Sequence, residues 1–225
     1  MTKQIAFFFD VGSPASYLAW TQLPAIAEAA GAEIVWKPML LGGVFKATGN
    51  RSPAEVAAKS RYTRQDFSRY AERYGVPFQH NPYFPINTLL LMRGAEAFRE
   101  TPQFQPYLRA VFEAIWVEPR NLNEPEELAQ VLAQAGFDPA QVLARAQAPE
   151  VKARLKVTTE EAVARGVFGA PTFLSAMICG SARIAWIGSR RRYANADCCF
   201  TLRRLASVCR IICDKFPPDC NASLN

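Results

Sequence analysis

Cysteine is missing from the first 174 of the 225 residues, and no long uncharged apolar run occurs anywhere in the chain. Without cysteine pairs, that part of the chain has neither a disulfide framework nor a dithiol redox centre. A membrane-spanning helix needs about 20 consecutive apolar residues, so it is excluded. The apolar stretch at residues 5–9 is too short, and too soon followed by Asp10, for a secretory signal. We therefore expect a soluble, cytoplasmic protein without a membrane partner.

Histidine is almost as scarce, because His80 is the only one, and no acidic residue lies within six positions of it. A metal centre usually needs several histidine, cysteine or carboxylate ligands close together. We therefore predict no bound metal and interpret His80 as a surface loop residue.

Charge and cysteine are distributed unevenly along the chain. Residues 175–225 carry 8 basic and 3 acidic residues, whereas residues 1–174 carry 18 and 17, so the pI of about 9.1 reflects the tail. Only the arginines at 190–192 and 203–204 would support a nucleic-acid binder, and we predict no nucleic-acid partner. All six cysteines lie in the same tail: Cys179, Cys198, Cys199, Cys209, Cys213 and Cys220.

The first 38 residues have the pattern of a strand–helix–strand unit. Residues 4–10 form an apolar, aromatic-rich run typical of a buried strand, and residues 33–38 form a second one. Between them, Ser13 and Pro14 are a good N-cap and a good first helical residue. A crossover of this length predicts two parallel strands.

Helices dominate the next hundred residues, with capping signals at Ser52, Asn123 and Asp138. A third strand is predicted after Pro171. The fold class is therefore α/β, in which a domain formed by residues 1–38 and 149–225 is interrupted by a helical insertion at residues 39–148. The expected active site is the cleft between the two parts. The predicted helices cover residues 52–74, 87–99, 104–116, 124–135, 139–146 and 149–165.

Two positions could carry chemistry. The Ser13 hydroxyl can cap its helix or, with the N–H groups of the first turn, face an anion. A cis bond between Ala170 and Pro171 would place the backbone of Ala170 beside the site, but the sequence leaves cis and trans open.

Four segments resemble, in the same order, those of the 2-hydroxychromene-2-carboxylate isomerase family. They are DVGSPASY at 10–17, GGVFK followed by GNR at 42–51, FPINT at 84–88 and GVFGAP at 166–171. The resemblance covers residues 4–174. Because that family resembles kappa-class glutathione transferases and belongs to the DsbA-like thioredoxin superfamily, it implies a thioredoxin-like domain interrupted by an all-helical insertion.

The resemblance implies a glutathione-dependent isomerase that converts 2-hydroxychromene-2-carboxylate, an aromatic carboxylate from bicyclic aromatic degradation, to trans-o-hydroxybenzylidenepyruvate. Ser13 matches the catalytic serine that hydrogen-bonds the glutathione sulfur, and a homodimer is implied. Cofactor-binding positions are Ser13, Ala170 and Pro171. Candidates for binding the substrate carboxylate and phenol are Lys46, Asn50, Arg51, Tyr83 and Asn87, although Lys46 and Arg51 also fit solvated loop charges.

Two other enzyme classes share this expected fold. A kappa-class-like glutathione transferase acting on another electrophile remains an alternative, because it would use the same thiolate site. A thiol-disulfide oxidoreductase needs Cys-x-x-Cys at the start of the first helix. Residues 13–16 read SPAS and contain no sulfur, so this second class is rejected.

Beyond Leu174 the sequence departs from the family. In the neighbouring reading frame, the pairs at 177–178 and 186–187 each force an aspartate codon, and permitted codon choices turn residues 174–193 into VGDDMWLGQDRLDWVEEAL. That string has the pattern of a strand, a glycine turn and an acidic amphipathic helix, as the family would supply. We interpret the tail as the product of a single-base deletion near the Leu174 codon. The alternatives are a genuine divergent tail or an inactive out-of-frame product.

Overall fold

The structure, a computed structural model, describes residues 3–175 and 178–181. Its first three elements form the predicted strand–helix–strand unit. Strands β1 (Lys3–Phe9) and β2 (Ala32–Pro38) pair in parallel along their whole length, and helix α1 (Pro14–Ala29) connects them. The predicted parallel pairing is therefore confirmed.

Two further strands complete a mixed sheet. Strand β3 (Thr172–Ser175) pairs antiparallel with β1, and β4 (Ile178–Ser181) pairs antiparallel with β3. The strand order is β2-β1-β3-β4, so β1 lies inside the sheet. The loop that follows β1 consequently opens between its two neighbours, β2 and β3.

The described chain between β2 and β3 is helical. It holds α2 (Leu41–Thr48), a 3-10 turn (Pro53–Glu55), α3 (Ala57–Tyr74), α4 (Leu89–Phe98), α5 (Phe104–Trp116), α6 (Pro125–Gln134), α7 (Pro139–Gln147) and α8 (Pro149–Ala164). Helix α5 lies at its predicted bounds, and Asp138 caps α7 as predicted, accepting hydrogen bonds from Ala140 N and Gln141 N.

Three helix predictions need correction. The Ser52 capping box is present but opens only the 3-10 turn, because Val56 is extended and α3 starts after it. Asn123 does not cap α6, since Glu124 is the N-cap residue and the Asn123 side chain instead accepts a hydrogen bond from Asn87 N. Helix α2 was not predicted, because Gly42 and Gly43 lower its intrinsic helix propensity.

The main hydrophobic core runs from the sheet into the helices without a break. Phe7 and Phe9 point to the same face of β1, are fully buried and stack 5.2 Å apart, and Phe9 also contacts Phe112 of α5. Phe8 points to the opposite face, where it packs in a smaller cluster with Val44 and Ala162. The sheet is thus covered on both sides. The division at residues 38/39 and 148/149 stays a prediction.

No helix within the described part of the chain is both long and apolar enough to span a bilayer. Strand β4 shows that an edge strand follows β3 in the sequence as it stands. The rest of the tail, including the predicted covering helix of the restored frame, lies outside the described residues.

Candidate active site

Ser13 lies at the end of the loop between β1 and α1, immediately before the first helical residue. Its backbone is extended (φ −94°, ψ 118°), Pro14 is the first helical residue, and the Ser13 Oγ accepts a hydrogen bond from Ser16 N at 3.3 Å. The predicted N-cap is therefore confirmed. The same hydroxyl donates to the carbonyl oxygen of Ala170 at 2.9 Å. One side chain thus connects the start of α1 to a segment 157 residues later.

The segment opposite Ser13 is the loop that enters β3. The peptide bond between Ala170 and Pro171 is cis. Because β3 pairs with β1, this bond lies next to the loop that carries Ser13, and the structure brings Ser13, Ala170 and Pro171 together as predicted from the resemblance. Their roles towards a ligand stay a prediction.

Asn50 contacts the same loop. Its Nδ2 donates to the Phe168 carbonyl at 2.7 Å, and its Oδ1 accepts from Arg51 N at 2.9 Å. Its amide therefore holds the segment after α2 against the chain that leads to Ala170. Lys46 lies in the last turn of α2, and both Lys46 and Arg51 are exposed and form no ion pair within residues 3–175 and 178–181.

Tyr83 belongs to a loop that is pinned close to Ser13. The buried Asn81 donates to the carbonyls of Ile115 in α5 and of Arg120 beyond its end, and its Oδ1 accepts from Tyr83 N. The Tyr83 side chain is 50% exposed. The next residue, Phe84, packs against Trp116, whose indole N–H donates to Val11 O at 2.8 Å. Tyr83 is thus anchored through its neighbours to the β1–α1 loop.

Asn87 has a more structural position than predicted. Its Oδ1 accepts from Leu89 N in the first turn of α4, and its backbone N–H donates to Asn123. The side chain is exposed and serves the start of α4. A role in substrate binding stays a prediction.

Asp10 is the residue at this site that sequence reasoning missed. It is 1% exposed, and its carboxylate accepts from Gly12 N at 2.9 Å, Leu41 N at 2.8 Å and Thr88 Oγ1 at 3.0 Å. Burial raises the pKa of Asp10, and the three hydrogen bonds oppose that rise. The sequence signal was a single acid at the end of an apolar strand. Its two distant donors leave no trace in the sequence.

His80 lies away from this cluster of groups. Its Nε2 is 3.0 Å from Arg64 O in α3, and its ring packs edge-on against Phe78. Burial lowers the pKa of His80, which favours the neutral ring. No group of three or more potential metal ligands occurs in the described ranges 3–175 and 178–181.

The arrangement is suited to stabilising an anion. The Ser13 hydroxyl is a donor at the positive end of α1, and the positions where a redox enzyme of this fold carries cysteines hold Ser13 and Ser16. A hydroxyl cannot form a disulfide. The geometry therefore supports polar stabilisation of a ligand and excludes dithiol exchange at this loop.

Comparison with known proteins identifies the family to which the chain belongs. The DsbA-like thioredoxin domain family matches residues 4–192. A 2-hydroxychromene-2-carboxylate isomerase of Sphingobium xenophagum is 31% identical over 180 residues, which cover 76% of this chain and 88% of that relative. The chain belongs to the 2-hydroxychromene-2-carboxylate isomerase family. This family membership confirms the thioredoxin-like fold class and the prediction of an enzyme of the isomerase type.

Three further known proteins are similar to this isomerase family member in sequence or in fold. Human glutathione S-transferase kappa 1 is 26% identical over 76% of this chain and 80% of its own length. A solved 2-hydroxychromene-2-carboxylate isomerase superposes with a TM-score of 0.70 at 27% identity, covering 79% of this chain and 87% of that one. The cytosolic disulfide reductase DsbM of Pseudomonas aeruginosa, solved with GSH, shares the fold with a TM-score of 0.53 at 19% identity, over 76% of this chain and 84% of its own.

Proposed function

We propose that this isomerase family member converts 2-hydroxychromene-2-carboxylate to trans-o-hydroxybenzylidenepyruvate with glutathione as its cofactor. The observation that carries the proposal is the Ser13 hydroxyl, placed at the N-terminus of α1 and 2.9 Å from the Ala170 carbonyl. Family membership supports the reaction, and the SPAS sequence in place of a dithiol supports a serine-based thiolate site.

The residues around Ser13 fit a thiol-bearing peptide. The Ala170 carbonyl offers an acceptor for a peptide N–H, and the Ser13 Oγ offers a donor for sulfur beside it. After rotation about the Ser13 side chain, the O–H that here donates to Ala170 O would donate a hydrogen bond to a bound sulfur and keep its proton. Together with the positive end of α1, this hydrogen bond favours thiolate over thiol.

When bound, glutathione would supply a thiolate that adds to the conjugated system of the ring-opened substrate, in which the C2–O1 bond has broken and the proton of the C2 hydroxyl has passed to the phenol oxygen. The former double bond would rotate as a single bond and re-form when the thiolate leaves. The protein stabilises the thiolate through Ser13 and orients the substrate. We propose that the exposed cations Lys46 and Arg51 attract the substrate carboxylate, while Asn50, Tyr83 and Asn87 form the polar and aromatic wall.

The test is turnover of 2-hydroxychromene-2-carboxylate by the full chain, followed by ultraviolet absorbance with and without glutathione. We expect isomerisation only when glutathione is present, and no activity with S-methylglutathione, which lacks the thiol. A rate that does not depend on glutathione would contradict the mechanism. Activity confined to conjugation of other electrophiles would favour the kappa-class alternative, which the match to human glutathione S-transferase kappa 1 supports.

A homodimer and a cytoplasmic location complete the proposal. The family resemblance supports both. Light scattering of the purified chain measures the first, and cell fractionation measures the second.

A further inference from the structure

Asp10 joins three segments that are far apart in the sequence. Its Oδ1 accepts from Gly12 N in the β1–α1 loop, while its Oδ2 accepts from Leu41 N at the first residue of α2 and from the hydroxyl of Thr88. The side chain is almost fully buried. One carboxylate therefore fixes the starts of two helices and the segment before a third.

Only a carboxylate satisfies all three donors. An ionised aspartate is purely an acceptor and has lone pairs for several hydrogen bonds on its two oxygens. Asparagine has a single acceptor oxygen, and its NH₂ group would face at least one of the donors. Because a buried donor left unpaired is destabilising, the position is chemically specific for a carboxylate.

The same contact is sterically tight. A Cβ on Gly12 would lie 2.7 Å from the Thr88 methyl group and 3.3 Å from Asp10 Oδ1, so the β1–α1 loop lies directly against Thr88. Thr88 also accepts the first backbone bond of α4, from Met92 N. The loop is thus held between the carboxylate and the start of α4.

Each of the three segments leads to a group of the proposed site. The β1–α1 loop carries Ser13 immediately after Gly12. Helix α2 carries Lys46 and is followed by Asn50 and Arg51, and the chain before Thr88 carries Tyr83 and Asn87. Asp10 therefore lies where the sheet and the helical part of the site meet.

We propose that Asp10 is a positioning residue that holds Ser13 in register with the substrate-binding segments, an inference that rests on the proposed function. Asp10 does not contact the reacting atoms in this role. The hydrogen bond that it accepts from Gly12 N fixes the loop that carries Ser13, and those that it accepts from Leu41 N and Thr88 Oγ1 fix the starts of α2 and α4.

The first experiment measures the pKa of the glutathione thiol bound to wild type and to Asp10→Asn, using the thiolate absorbance of the full chain. We expect the substitution to raise this pKa, because Ser13 loses its fixed orientation. Removing a nearby negative charge would by itself lower a thiol pKa, so the sign separates positioning from simple electrostatics. We also expect kcat to fall about 10- to 100-fold, as displacement of reacting groups does.

Two further variants keep the test decisive if Asp10→Asn does not fold. Thr88→Val removes one donor without changing any charge and should raise the thiol pKa in the same direction by a smaller amount. Thr88→Ser retains the hydroxyl and should restore the wild-type value. Asp138→Asn is the matched control, because Asp138 also accepts two backbone N–H bonds but at the start of α7.

The outcomes are distinguishable. A wild-type chain that binds no glutathione overturns the proposed function. A wild type that binds glutathione as a thiolate, with Asp10→Asn and Thr88→Val matching Asp138→Asn in thiol pKa and kcat, overturns the positioning role. A fall in thiol pKa in Asp10→Asn also overturns it. The hydrogen bonds that Asp10 accepts are tested without glutathione by amide exchange of Gly12 and Leu41, which should accelerate in Asp10→Asn and not in Asp138→Asn.

Discussion

Ser13 has two separable functions at the scale of a single residue. As an N-cap it satisfies Ser16 N, and as a hydroxyl donor it reaches across to Ala170 O. Removing the side chain abolishes both, but the two losses appear in different measurements. The loss of the cap should affect stability, whereas under the proposed function the loss of the donor should affect the bound glutathione thiol.

Ser13→Ala should lower the isomerisation rate and raise the pKa of the bound glutathione thiol. The fold should survive, because an N-cap contributes about 0.5–2 kcal/mol. Asp138→Ala removes a cap of the same kind from α7 and serves as the control, with a similar loss in urea unfolding but unchanged activity. An unchanged rate and thiol titration in Ser13→Ala would reduce Ser13 to a structural cap.

Gly94 is a position where a single added side-chain atom should change the stability of the fold. It lies in α4, where a Cβ would collide with the hydroxyl of Tyr107, and Tyr107 is 1% exposed and donates to Leu91 O at 2.9 Å. Burial raises the pKa of Tyr107, so the hydroxyl stays protonated and keeps this bond.

Gly94→Ala should therefore destabilise the protein by about 1–3 kcal/mol in urea unfolding, as overpacking of a core does. Gly42→Ala is the matched control in α2, since its Cβ would meet nothing within 4 Å. That variant should gain up to about 1 kcal/mol from helix propensity alone. A stabilising effect at Gly94 would show that Tyr107 moves aside without cost.

At the scale of elements, Glu96 connects α4 to α8. Its carboxylate is buried and accepts from Arg154 Nε at 3.0 Å, and it also pairs with Arg99. Burial raises the pKa of Glu96, and the two guanidinium groups offset that rise only in part. The folded state therefore binds the carboxyl proton of Glu96 more tightly than the unfolded state does. The resulting contribution to stability is fully present below the ordinary pKa of 4.5 and is lost as pH rises through the raised pKa.

Glu96→Gln should remove this pH dependence. The unfolding free energy of the variant minus that of wild type is expected to increase between about pH 4 and pH 7, measured by urea unfolding at several pH values. A constant or falling difference for Glu96→Gln would contradict the expectation.

The pKa of Glu161 in α8 is shifted in the opposite direction to that of Glu96. Burial alone would raise the pKa of Glu161, but hydrogen bonds from Lys37 and Arg165 outweigh it and lower the pKa. Its contribution is therefore present above the ordinary value of 4.5 and is lost as pH falls. In the same series, the difference for Glu161→Gln should decrease as pH rises.

The elements differ in how far the sequence predicted them. Apolar runs and caps located β1, β2 and α5, because burial patterns and capping chemistry are local. Helix α2 was missed because its stability comes from tertiary contacts: Asp10 accepts its first N–H, and Val44 packs against Phe8. The hydrogen bonds that Asp10 accepts from Leu41 N and Thr88 Oγ1 were missed for the same reason, since these donors lie 31 and 78 residues away.

At the scale of the whole molecule, the sheet and the helices share the main core, and the match to the DsbA-like thioredoxin family ends at residue 192 of 225. The two curated relatives described above align with 76% of this chain and with 80–88% of their own lengths. Phe173 in β3 packs at the edge of the main core, where it stacks on Phe7 at 5.1 Å, but its side chain is only half-buried. We propose that the restored reading frame covers the accessible part of this side chain.

Restoring one base near the Leu174 codon should therefore increase both soluble yield and glutathione-dependent isomerase activity. The reframed sequence replaces a basic, cysteine-rich tail with a patterned strand, a glycine turn and an acidic helix. This removes reducible thiols, and we expect the helix to cover the accessible part of Phe173. The measurement compares the chain as written with the reframed chain at equal expression, by soluble fraction and by turnover. Resequencing the gene tests the premise. A chain as written whose cysteines are paired or metallated, and which is more active than the reframed version, would show that the tail is genuine.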